Sequence, residues 1–174
     1  MKTICFDVYE FNELSDKAKE KARDWYRSID TEYAWAAETR ESMEAFAQLF
    51  PIKVRDWSYG GRGAGVSFEF RDDGTLEEIE GVRLYKWLVN HDVTKLLGGD
   101  CPLTGYCMDE DLLDPIRAFV KKPKGTFREL LQDCFDAWIK AAESNVEYQG
   151  SDEYIDETIE GSGYTFTIDG KREG

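Results

Sequence analysis

The sequence predicts an α+β fold: a small, mostly antiparallel sheet of about four strands with several helices packed on it, in a single domain over residues 1-174. Three observations lead there. Strict apolar alternation appears only in short runs, at residues 4–8, 52–54, 66–70 and 164–168. Longer stretches between them carry apolar residues at helical spacing, several behind a capping residue. The runs and stretches do not alternate one for one, as a doubly wound parallel sheet requires. With 174 residues, 41% hydrophobic and 14% aromatic, the chain can bury a sizeable core.

Taken in order, Ile4, Phe6 and Val8 alternate with Cys5, Asp7 and Tyr9 as a first strand. Ser15 is placed to cap a helix whose inner face is Ala18, Ala22, Trp25, Tyr26 and Ile29, with charged residues from Lys17 to Asp24 facing water. After Asp30 and Thr31 a second helix carries Trp35, Met43, Phe46 and Leu49, and Pro51 stops it. Ile52 and Val54, then Val66, Phe68 and Phe70, read as two strands joined by the glycine-rich loop 59–65. Asp72-Asp73-Gly74 turns the chain out of the second strand. Val82, Tyr85, Val89, Val93 and Leu96 share the spacing of one helix ending at Gly98-Gly99.

Cys101 to Asp111 reads as irregular, and Asp114 and Pro115 suit the cap and first position of a short helix through Ile116, Phe119 and Val120. Thr126 and Glu129 form a capping-box pattern ahead of the longest helix, lined by Phe127, Leu130, Leu131, Cys134, Trp138, Ala141 and Ala142. Ser151 caps a short helix bearing Tyr154, Ile155, Thr158 and Ile159, with a strand over 154–160 as the alternative. Tyr164, Phe166 and Ile168 alternate in a last strand that turns at Asp169-Gly170. One core is expected to gather Trp25, Phe46, Phe68, Leu131, Trp138 and Phe166.

Charge narrows the function. Thirty-six acidic residues face twenty-two Lys and Arg, a formal net of −14 and a sequence pI near 4.5. Such a surface repels phosphate backbones and anionic lipid, so direct nucleic-acid or membrane-surface binding is disfavoured, and a partner protein with a basic surface fits better. The first residues hold no apolar core of a signal peptide, and no run approaches the ~20 apolar residues that span a bilayer. A cytoplasmic protein is expected.

Residue chemistry points to no catalytic, cofactor-binding or metal-ligating set. The single histidine, His91, lies in a helical stretch with no recognisable nucleophile context among the four cysteines. His91, Cys101, Cys107 and Cys134 lack the close Cys pairs of structural zinc sites, and thiols buried as small hydrophobes explain the cysteines better. The glycine loop lacks the Lys-Ser/Thr of a P-loop and joins two strands rather than opening a helix. Its Arg62, with Lys53, Arg55 and Arg71, is the most basic spot in the chain.

The strongest bias lies near the C-terminus. No basic residue occurs between Lys140 and Lys171, while Glu143, Glu147, Asp152, Glu153, Asp156, Glu157 and Glu160 do. Spread over a helix end, a turn and a short helix, these carboxylates could imitate the phosphate spacing of a duplex, or simply form a solvated face. They are the candidate partner-binding residues.

Two segments carry a resemblance. Glu13-Leu14-Ser15, followed by Ala18-Lys19, Lys21-Ala22-Arg23 and Trp25-Tyr26, opens the chain, and Tyr164 to Arg172 closes it. Together they resemble the ends of a largely uncharacterised, antitoxin-like family of small bacteriophage and prophage proteins; the middle resembles it loosely. The resemblance implies a phage-encoded, non-enzymatic protein, similar in kind to anti-CRISPR and anti-restriction inhibitors, some of which act as DNA mimics. The expected function is therefore inhibition of a host defence effector or toxin, the acidic surface occupying a basic nucleic-acid-binding site. A small enzyme acting on nucleotides or nucleic acid, and a phage structural or assembly protein, are the alternatives.

Overall fold

A computed structural model describes residues 7–29, 34–60, 62–71 and 74–173. In chain order the elements are β1 (Tyr9–Glu10), a single 3-10 turn, α1 (Asp16–Ser28), α2 (Ala34–Gln48), β2 (Ile52–Ser58), β3 (Gly65–Phe70), α3 (Gly81–Asn90) and α4 (Val93–Leu96). They continue with α5 (Met108–Lys121), α6 (Phe127–Gln149), α7 (Asp152–Gly161), β4 (Thr165–Phe166) and β5 (Arg172–Glu173). The fold is α+β and helix-rich. The strands form two small antiparallel sheets, β1-β4-β5 and β2-β3, where one sheet is expected from the sequence.

The chain groups into two compact units, one made of Met1–Glu32 with Asn145–Gly174, the other of Tyr33–Ser144. Each has its own core. The anticipated single core is therefore divided: Phe46, Phe68, Leu131 and Trp138 pack in the larger unit, while Phe166 is buried in the smaller, with Trp25 packed against its cluster. Apolar faces read one element at a time say which residues are inside, not which inside they share.

In the larger unit α6 is the central element. The capping box forms as its spacing requires: Thr126 N–H donates to Glu129 at 2.8 Å and Glu129 N–H to the Thr126 hydroxyl at 3.2 Å. Phe127, Leu131, Cys134, Phe135 and Trp138 then line the buried face, and the Trp138 indole N–H donates to the Thr39 carbonyl of α2 at 3.0 Å. The β2-β3 hairpin lies in the register Ile52↔Phe70 to Ser58↔Gly65, with a bulge between Val54 and Asp56.

Two sequence expectations change here. The helix over 82–96 is two helices, parted at His91-Asp92, where Asp92 is left-handed. Its buried face is Leu84, Leu88 and Val93, and Val82 and Val89 point outward, because leucines four residues apart offer a second apolar stripe that packing prefers. Pro115 lies inside α5 rather than at its start. A proline there removes one helical hydrogen bond, at about 3 kcal/mol, and the burial of Leu112, Leu113, Ile116 and Phe119 on the same helix offsets it.

In the smaller unit, the Ser15 hydroxyl caps α1 and the Ser151 hydroxyl caps α7, so 152–161 is helix and not strand. Ala18 and Ala22 of α1 meet Ile155 and Ile159 of α7 around Phe11 and Phe166. The last strand is shorter than its alternation suggests: Ile168 sits exposed in the turn between β4 and β5. That turn presses on α1, since a Cβ at Gly170 would lie 2.1 Å from the Ala18 carbonyl oxygen. Of the first predicted strand, Ile4 to Phe6 and Cys5 with them lie outside the described residues, as do Asp30, Thr31, Asp72 and Asp73; β1 begins at Tyr9.

Candidate functional site

The acidic candidates fall into three groups once folded. Glu143 belongs to the larger unit, where its carboxylate accepts the Gly60 N–H at 3.1 Å and anchors the start of the hairpin loop. It serves the local fold.

Asp152 and Asp156 sit on the flank of α7 that faces α1. Arg23 meets Asp156 in a two-pronged pair, Nε to Oδ1 and Nη2 to Oδ2 both at 2.7 Å, and reaches Asp152 at 3.6 Å. Arg27 also pairs with Asp152. Glu20 and Asp24 of α1 complete the lattice, Glu20 at 3.0 Å from Arg23 and Asp24 at 3.2 Å from Arg27. The hydrogen bonding of Arg23 to Asp156 is the main reason its guanidinium is held still more firmly in its charged form; burial acts in the opposite sense. Planar guanidinium and carboxylate match edge to edge, which makes this the firmest polar contact between the two helices. The sequence shows a stretch free of basic residues; the fold brings Arg23 and Arg27 to it from 125 or more positions away.

Glu153, Glu157 and Glu160 form the third group. Their spacing of four and then three residues places them in one stripe, the second about 6 Å and the third about 10 Å along the axis from the first. All three are exposed, and among the described residues none has an ion-pair partner. Glu147, in the last turns of α6, is likewise exposed and without one. Local physics opposes this arrangement. Like charges at i and i+4 destabilise a helix by roughly 0.2–0.5 kcal/mol. Glu160 stands near the C-terminal end of α7, where the helix dipole disfavours an anion by about 0.3–1 kcal/mol, and no basic residue occupies that last turn. Asp152 and Glu153, in the first turn, are on the favourable end.

Beside the stripe a small cleft of about 140 Å³ is lined by Glu10, Phe11, Asn12, Ile159, Glu160, Gly163 and Tyr164. Around the basic hairpin, Arg55 pairs with Glu69 across the strands, while Lys53, Arg62 and Arg71 are exposed. His91 stacks on Trp87 with ring centres 3.8 Å apart, and Cys134 is fully buried in the core. Among the described residues no group of three His, Cys, Asp or Glu side chains converges as metal ligands would. No described helix is long and apolar enough to cross a membrane.

Compared with protein-family models, with curated proteins and with solved structures, the chain matches none at a significant level.

Proposed function

We propose that this chain is a phage-encoded, non-enzymatic binding protein that inhibits a host defence effector or toxin by laying an acidic face over its basic, nucleic-acid-binding surface. The observation that carries the reading is the stripe Glu153, Glu157 and Glu160. A face kept only for solubility usually mixes lysine with glutamate and places cations at the helix end. Here three uncompensated carboxylates repel one another and one opposes the dipole, a cost that a cationic partner would relieve. The net charge of −14 and the resemblance of both chain ends to phage proteins support the same reading. The face is narrower than the acidic stretch in sequence: Asp152 and Asp156 hold α1 to α7, and Glu143 holds the hairpin loop.

The test reverses the stripe and spares the lattice. Glu153→Lys, Glu157→Lys and Glu160→Lys together should keep the circular dichroism spectrum and melting temperature of the parent. In affinity capture from host lysate at low salt, followed by mass spectrometry, the parent should retain a nucleic-acid-binding protein that the triple variant loses. The captured protein should arrive stripped of nucleic acid. Equal capture by both chains sinks the proposal.

A further inference from the structure

The cysteines are expected from their positions to be small buried hydrophobes, and Cys134 behaves so. Cys101 and Cys107 do not: Cys107 is exposed and Cys101 only half-buried, and both are free thiols. The loop between them is tightly built. Asp109, fully buried at the start of α5, accepts the N–H groups of Leu103 at 2.9 Å, Thr104 at 2.7 Å and Gly105 at 3.3 Å, and the Thr104 hydroxyl at 2.9 Å. Gly105 N–H closes a turn onto the Cys101 carbonyl at 3.0 Å. Cys101 N–H donates to Glu110 at 2.8 Å, and Arg117 grips the other oxygen of that carboxylate. Cys101 is thereby held at φ 46°, a left-handed conformation that side-chain-bearing residues rarely adopt. The chain curls back on itself: Glu110, whose own N–H donates to the Cys107 carbonyl at 3.0 Å, holds the Cys101 N–H with its side chain, so both cysteines sit at the first turn of α5.

We infer that Cys101 and Cys107 form a dithiol site that closes reversibly to an intrachain disulfide by exchange with a low-molecular-weight disulfide. Two cysteines tied to the same helix end, with five residues between them, need local adjustment rather than refolding to reach bonding distance. The order of events follows from exposure. Cys107 Sγ, as thiolate, attacks one sulfur of the small disulfide RSSR; the S–S bond breaks and one RS⁻ leaves, taking up a proton as RSH. Cys101 then loses its proton to solvent and attacks Cys107 Sγ, forming the Cys101–Cys107 bond and expelling the second RSH. Two electrons pass from the dithiol to the small disulfide. Burial, and after it the neighbouring Cys107 thiol and the Glu110 and Asp109 carboxylates, push the Cys101 thiol up, in keeping with its reacting second.

The chain supplies a convenient assay. Trypsin releases Leu96–Arg117, which contains both cysteines, no third one and no internal Lys or Arg. Full-length reduced protein is incubated with oxidised glutathione, free thiols are blocked, and the digest is weighed. The Leu96–Arg117 peptide should be lighter than its reduced form by two hydrogens, take up no blocking reagent, and revert with dithiothreitol. In Cys101→Ser the same peptide should instead retain one glutathione on Cys107. A parent peptide that stays fully reduced, carries two glutathiones, or is cross-linked to a Cys5 or Cys134 peptide overturns the inference. None of these readouts requires a variant to fold.

Discussion

Two residues carry unusual local loads. Asp109 is a carboxylate with no solvent exposure and, among the described residues, no ion-pair partner, stabilised instead by N–H and hydroxyl donors from the loop it faces. Burial alone would raise its pKa; the bonds from Thr104, Ser42 and Leu103 together outweigh burial and hold it below the usual value. A group depressed on folding contributes stability that is fully present above its unfolded value, about 3.9, and lost as pH falls through the lower, folded value. Asp109→Ala, which leaves the donors of 103–105 unpaired, should cost about 2–4 kcal/mol in urea unfolding at pH 7. The gap between parent and variant should shrink on acidification below pH 4; a constant gap would mean that packing, not charge, is what the residue supplies. Gly170 carries a steric load. At φ 83°, with the Ala18 carbonyl where its Cβ would stand, Gly170→Ala should cost about 3 kcal/mol or more. Gly163, also left-handed at φ 65° but with nothing near, is the control: Gly163→Ala should cost only about 1 kcal/mol. Equal melting temperatures for the two variants would show that the turn does not bear on α1.

At the scale of elements, α7 has two polar flanks with opposite roles, and the contrast can be measured. Asp156→Asn weakens a part-buried, two-pronged contact to Arg23 and should lower stability by about 1–2 kcal/mol. Glu160→Lys removes a misplaced anion at the helix end and should raise stability by a few tenths of a kcal/mol. If both substitutions moved the melting temperature downward, the division into a structural and a solvent flank would be wrong. The helix boundaries behind this contrast were legible where caps mark them: Ser15, Thr126 and Ser151 each cap the helix their position announces. Elsewhere the signal was ambiguous for a physical reason. Between 82 and 96, valines and leucines offer two apolar stripes on one helix, and only tertiary packing selects Leu84 and Leu88. Pro115 has the look of a helix start because its local cost is real; the core it helps to bury is invisible from the neighbouring residues. The candidate site shows the same limit. Counting charges finds the acidic stretch, but Arg23 lies 133 positions from Asp156, and no local pattern says that the two meet.

For the whole molecule the question is whether the proposed affinity for a basic partner would reside in the net charge or in one face. A formal charge of −14 attracts any cationic protein at long range, and salt screens that attraction within about 8–10 Å. Specific recognition needs more, because a diffuse field sets encounter rate rather than register. An isocharged pair of variants separates the two. One reverses Glu153, Glu157 and Glu160 to Lys; the other reverses Glu41, Glu78 and Asp100, which are exposed and lie elsewhere in the chain. Both change the net charge by the same amount and leave the Arg23 lattice untouched. Against the protein captured by the parent, binding measured by titration calorimetry across a salt series should fall at least tenfold for the first variant. For the second it should fall only modestly, with association slowed and dissociation near that of the parent. Equal losses from the two variants would assign the interaction to net charge and remove any special role from α7. A loss confined to the second would place the interface away from the stripe altogether. The expected asymmetry has a physical origin: the helix fixes the backbone positions of the three glutamates in line before a basic groove arrives, so only side-chain rotamer entropy, and not backbone ordering, is lost on binding.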